Sequence, residues 1–214
     1  MRKFLRAVQK VKPTGKLLDV GCAMGFFVEL AGASGFDAYG FDPSVYAVAE
    51  AKKLLDGRIT LGTIKEVQYP RQFFDVITLF DVFEHLVDPL GDLQKLSALL
   101  KNDGIMVIAT GDSRSLMAKV MNSRWTFYNP PQHLFYFDKK TLSNLLQRGN
   151  LIPITWFRIN KWLSLRYVLH LARTVGESRL GAWLYRHLAK SPVGKFPLYL
   201  PVRDNMVVIA RKRV

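Results

Sequence analysis

Apolar residues in the first half of the chain fall into short runs at 16–20, 37–42, 59–61, 74–80 and 104–110. Such runs read as strands, the last of them buried. Helical stretches separate them: 25–33, 44–55 with Ser44 as cap after Pro43, and about 89–100. A further helix is predicted at 139–147, with Leu142, Leu145 and Leu146 on one side and a stop at Gly149. Strands at 151–158 and 205–210 follow it. The alternation predicts an α/β fold, a doubly wound and mostly parallel sheet with helices on both faces. If the last two strands pair antiparallel, the sheet closes with a reversed edge strand, and 160–203 becomes an insertion between them.

The length of 214 residues and 49% hydrophobic content fit a single domain spanning 1–214. The basic, amphipathic stretch 1–10 lacks the apolar run and cleavage site of a signal peptide and reads as a short helix. One cysteine, Cys22, excludes an intramolecular disulfide and a multi-cysteine zinc site, so a cytoplasmic protein is expected. No run of about 18 uncharged apolar residues offers a transmembrane helix. A net charge of +14 implies an anionic partner: nucleic acid, a phosphorylated substrate or an acidic membrane surface.

The chemistry starts at Leu-Leu-Asp-Val-Gly-Cys-Ala-Met-Gly, 17–25, where a strand runs through Asp19 into a turn pinned by Gly21 and Gly25. Glycines let the backbone approach a nucleotide-like ligand at the start of a helix. Gly-Phe-Asp-Pro-Ser follows at 40–44, and the Asp42 carboxylate can accept two hydrogen bonds from a ribose diol. The spacing from Gly25 to Asp42 is close to the roughly 20 residues of a dinucleotide fold, so a nicotinamide enzyme stays open here.

With Phe-Asp-Val-Ile-Thr-Leu-Phe-Asp-Val-Phe-Glu-His-Leu-Val-Asp-Pro at 74–89 and Gly-Ile-Met-Val-Ile-Ala at 104–109, the chain resembles the class I S-adenosylmethionine-dependent methyltransferases. Within these it is similar to small-molecule and sugar-modifying members with a ubiquinone-pathway-like core. The resemblance covers 16–158 plus the final strand and implies a Rossmann-like sheet and S-adenosylmethionine as cofactor, leaving S-adenosylhomocysteine. It implies that Asp19, Gly21, Cys22, Ala23 and Gly25 shape the methionine and ribose side of the pocket. Asp42, with Pro43, would hold the ribose. Thr63 and Ile64 would flank adenine, and Phe80 and Asp81 would line the methionine moiety. Ala23 stands where the family often has glycine. Cys22 reads as a small buried filler, not a reactive thiol.

The sulfonium already carries an activated methyl, so the protein must align an acceptor and, for a hydroxyl, remove a proton. His85 is the first candidate base, with Glu84 or Asp81 to orient it. The aromatic stretch 125–137 resembles an acceptor-site lid, with His133 facing the methyl. Asn129-Pro-Pro-Gln132 resembles the Asn-Pro-Pro-aromatic motif of base methyltransferases, but it follows the wrong strand and ends in glutamine. No metal is assigned. Asp81, Glu84, His85 and His133 are nonetheless similar to a two-carboxylate, two-histidine cation site suited to magnesium or manganese.

The insertion reads as two amphipathic helices. Trp162, Leu165, Val168, Leu169 and Ala172 oppose Arg166, His170, Arg173 and Glu177; Leu180, Trp183, Leu184 and Leu188 oppose Arg179, Arg186 and Lys190. They form either a hairpin packed on the sheet edge or an interfacial face for acidic lipid, at the inner side of a membrane. The expected function is O-methylation of a small or lipid-linked acceptor, a saccharide or isoprenoid. RNA methylation by the basic surface and a non-catalytic cofactor-binding or membrane-associated protein are the rivals.

Overall fold

The computed structural model describes residues 1–158, 161–174, 178–200 and 203–213. Helix α1 (Arg2–Gln9) leads into β1 (Gly15–Val20), α2 (Phe26–Gly32), β2 (Phe36–Asp42), α3 (Val45–Leu55), β3 (Ile59–Leu61) and β4 (Phe74–Phe80). After a 3₁₀ turn at Phe83–His85 come α4 (Pro89–Leu99), β5 (Leu100–Gly111), α5 (Leu116–Met121), α6 (Lys139–Arg148) and β6 (Leu151–Arg158). The chain then forms β7 (Lys161–Ser164), α7 (Leu165–Thr174), α8 (Arg179–Leu188), β8 (Pro197–Leu200) and β9 (Asn205–Lys212).

The apolar strand runs are explained by a core on each side of the sheet. Along β5, Met106 and Ile108 enter one cluster, while Ile105, Val107 and Ala109 enter the other. Along β9, Met206, Val208 and Ala210 alternate in the same way with Val207 and Ile209. Leu93, Leu96 and Leu99 of α4 and Leu142 and Leu146 of α6 cover the first face. Leu5 and Val8 of α1, Phe27 and Val28 of α2, and Val48 and Ala51 of α3 cover the second.

The helices begin where local chemistry starts them. Ser44 accepts from the Ala47 N–H at 3.2 Å, Asp88 from Gly91 at 3.0 Å and Ser115 from Ala118 at 3.0 Å. Asp138 and Thr141 form a reciprocal capping box at α6. Each such cap is worth about 1 kcal/mol.

The seven-stranded sheet has the order β3-β2-β1-β4-β5-β9-β6. β1 to β5 are parallel, and β9 is antiparallel to both neighbours. This corrects one expectation: the reversed strand lies one place in from the edge, and β6 is the edge. With β9 buried on both faces and hydrogen-bonded on both sides, its apolar run is used in full, whereas β6 keeps a half-exposed pattern.

The insertion is also corrected. Trp162 lies in β7, not at the start of a helix, because β7 pairs antiparallel with β8 in a separate two-stranded ribbon. α7 and α8 fill the span between the ribbon strands, with Ser178 capping α8 by accepting from the Gly181 N–H at 3.0 Å. Glu177, assigned to a polar face, lies outside the described residues. Among the described residues no helix is long and apolar enough to cross a membrane.

Candidate functional site

The strand order steps outward from β1 in both directions, so the crevice beyond the carboxyl ends of β1 and β4 is where a ligand can enter between loops. The turn after β1 is shaped for this. The Gly21 and Cys22 N–H groups both donate to the Phe41 carbonyl, at 2.9 and 3.0 Å, tying the turn to β2. Gly21 has φ +68°, and a Cβ there would stand 2.5 Å from Val82 Cγ2 across the crevice. Gly25, φ +77°, starts α2, where a Cβ would meet Leu55 Cδ1 at 2.7 Å. Ala23 also takes positive φ, +47°, which explains why glycine suits this position.

Asp42 organises the turn. Its Oδ2 accepts from the Ala23 N–H and its Oδ1 from the Ser44 N–H, both at 2.8 Å. A carboxylate offers about four acceptor positions, so about two remain for a diol. Asp19, one strand in, is 4% exposed and accepts from Thr78 Oγ1 at 2.6 Å. Burial, reinforced by the nearby Asp42, pushes its carboxyl up to about 7 against the opposing effect of the Thr78 hydrogen bond. The Cys22 thiol is buried and pushed up to about 12, by burial first and then by Asp19 and Asp42, which makes it a poor nucleophile.

A cavity of about 390 Å³ opens beyond these turns. Of the residues expected from the sequence, Gly21, Pro43, Thr63, Ile64 and His85 line it, and Val20, Phe41, Lys65, Val82, Leu86, Val87 and Asp92 complete its largely apolar wall. Its size is that of a small-molecule pocket. An apolar slot for a purine, spare acceptor positions on Asp42 and a glycine turn that a Cβ would close fit an adenosyl cofactor. Asp19, Cys22, Ala23, Gly25 and Asp42 are not among its lining residues; Asp42, bonded to the Ala23 and Ser44 N–H groups, holds the turn that borders it. Phe80 packs between Phe4 and Phe27, with ring centroids at 4.3 and 4.8 Å, and is not part of the cavity wall. Asp81 has φ +54°, donates its N–H to the Ala109 carbonyl at 3.0 Å and accepts from Asn205 Nδ2 at 3.4 Å.

The two histidines meet. The rings of His85 and His133 lie edge to face with centroids 4.7 Å apart. His85 Nδ1 is 2.7 Å from the Gln132 carbonyl, and His133 Nδ1 is 2.6 Å from the Phe127 carbonyl. A carbonyl only accepts, so each Nδ1 is the nitrogen that donates its N–H, and Nε2 is left as the nitrogen of each ring turned to other partners. Between them and β5 lies Glu84, 2% exposed. Its Oε2 accepts from Thr110 Oγ1 at 2.7 Å, while its Oε1 is buried without a hydrogen-bond partner, and burial raises its carboxyl above the ordinary value. One ligand atom from each of Glu84, His85 and His133 lies within 4.8 Å of the others; Asp81 is outside this group.

The aromatic segment is fastened to the same turn. Leu134 and Phe135 both donate their N–H groups to the Glu84 carbonyl, at 2.9 and 3.2 Å. Trp125 is buried with Ala118 and Met121, and the Phe127 ring lies tilted against His133 with centroids 5.4 Å apart. Sequence reasoning missed Thr78, Thr110 and the far wall of the cavity. Nothing local marks a threonine on a buried strand as the partner of a particular carboxylate.

The profile of the family described as "Methyltransferase domain" matches residues 1–154. A curated relative named ubiquinone biosynthesis O-methyltransferase, from Bradyrhizobium diazoefficiens, is 36% identical over 118 residues, covering 51% of this chain and 46% of that protein. A protein of the same name from Rhodopseudomonas palustris strain HaA2 is 35% identical over the same length. The chain thus spans about half the length of these relatives. Among solved structures, a 1,6-didemethyltoxoflavin-N1-methyltransferase from Burkholderia thailandensis, solved with S-adenosylhomocysteine, superposes with TM-score 0.62 at 16% identity, covering 100% of this chain and 78% of that one.

Proposed function

Because the chain belongs to the methyltransferase-domain family of class I S-adenosylmethionine-dependent enzymes, we propose that it methylates a hydroxyl of a small or lipid-linked acceptor, a saccharide or isoprenoid, with His85 as the base. The observation that carries this is the histidine pair, whose Nδ1 atoms are both spent on carbonyls. When bound, the cofactor supplies a methyl that is already activated. The work left to the chain is to hold the acceptor in line and take its proton. His85 lines the cavity and is exposed, so its Nε2 can receive that proton. His133 packs against it edge to face and, with the 125–137 segment, limits water around the acceptor.

Methyl-labelled cofactor added to a host extract, followed by fractionation into lipid, water-soluble and RNA pools, tests the acceptor class. Label in the lipid or water-soluble pool is expected; label in RNA alone would overturn it in favour of the basic surface, and label in none would favour a non-catalytic protein. His85→Ala should lower transfer by about a hundredfold or more, a loss larger than any change in cofactor affinity measured on the same variant. Full transfer by that variant would contradict the base.

The unpartnered Glu84 Oε1 supports a second reading, in which Glu84, His85 and His133 hold a magnesium or manganese ion that lowers the acceptor's pKa. Activity indifferent to a chelator would remove it. The insertion supports attachment to acidic lipid: Leu180 and Trp183 are 66% and 54% exposed on α8, beside Arg179 and Arg186. Failure to float with anionic vesicles would count against that placement.

A further inference from the structure

Helix α4 is capped by Asp88, whose Oδ1 accepts from the Gly91 N–H, so the positive end of the helix already faces a carboxylate. Asp92, one turn further, is not needed there. It is nevertheless 8% exposed, it lines the cofactor cavity beside Ile64 and Lys65, and among the described residues its carboxylate makes no hydrogen bond or ion pair. Burial raises its pKa, and the charge of Lys65 opposes the shift. A carboxyl group so placed is costly unless something in the cavity supplies the missing donor.

Its position says which donor. Lys95, three residues on and on the same face of α4, donates from Nζ to the Lys65 carbonyl at 2.8 Å, fastening this face to the loop after β3. That loop brings Thr63 and Ile64 to the cavity, while Gly21 and His85 stand on the walls supplied by β1 and β4. We propose that Asp92 accepts a hydrogen bond from the exocyclic amino group of the cofactor's adenine and makes the cavity selective for a 6-aminopurine. The proposal rests on the cofactor reading of this cavity.

Calorimetric titration of the full chain with S-adenosylhomocysteine, and with its analogue carrying unsubstituted purine in place of adenine, tests it. The unaltered protein should bind the adenine compound about tenfold to a hundredfold more tightly, since the analogue leaves a buried acceptor unpaired. Asp92→Ala should bind both compounds alike, near the affinity of the unaltered protein for the analogue. Asp92→Asn, which keeps an acceptor oxygen and the side-chain shape, should retain most of the preference, whereas Asp92→Leu, of similar shape with no acceptor, should lose it and supplies the reading if the alanine variant does not fold. Equal binding of the two compounds by the unaltered protein, or a preference that survives in Asp92→Ala, would overturn the role of Asp92. Binding of neither compound would instead overturn the cofactor reading itself.

Discussion

Asp19 is the group whose replacement should most clearly separate charge from shape in this fold. Its carboxyl is buried on β1, holds one hydrogen bond from Thr78 and is pushed up to about 7 in the folded chain, chiefly by burial. An acid whose pKa is higher folded than unfolded binds more protons in the folded state between those two values. Stability therefore falls as pH rises through that window, here from about 4 to about 7, and levels off above it. A shift of about three units corresponds to about 4 kcal/mol in all, of which about 3 kcal/mol falls between pH 5 and pH 8. Asp19→Asn keeps the shape and an oxygen for Thr78 but cannot ionise. Urea unfolding of the cofactor-free protein and the variant at pH 5 and pH 8 would read the effect. The variant should gain on the parent by about 3 kcal/mol between the two pH values. A stability difference that is the same at both would refute the assignment, because every other titrating group is common to the two proteins.

Gly21→Ala forces a Cβ toward Val82 Cγ2 at a left-handed φ, so thermal melting should show a loss of about 2–4 kcal/mol and calorimetry a loss of cofactor binding. Thr110→Val removes the hydrogen bond to Glu84 Oε2; with Oε1 already unpartnered, urea unfolding should show a cost of about 1–3 kcal/mol. Arg158→Ala withdraws the guanidinium 2.5 Å from Asp112, whose side chain is 3% exposed. Because the arginine is half exposed, a loss of only about 1–2 kcal/mol is expected, partly recovered in the double variant with Asp112→Asn.

The amino-acid order determined a good deal by itself. The strands from β1 to β5, the cap at Ser44 and the helix start at Pro89 are legible because apolar runs, prolines and capping side chains act within a few residues. The glycine turn, Asp42 and the Glu84-His85 pair are legible for the same reason: each lies on a short segment whose local geometry presents it. The places where the expectation failed depend on distant partners. β9 enters the sheet between β5 and β6, and Trp162 joins a ribbon with the stretch near Tyr199, because unsatisfied backbone edges are filled by whichever segment folding brings alongside. The exposure of Asp92 to the cavity is of this kind too, and the edge-to-face contact of His85 with His133, expected at one site only through the family resemblance, likewise depends on two distant segments. Charge, hydrogen-bonding capacity and helix phase were written in the chain, but which groups faced each other was decided only when the two cores closed on the sheet.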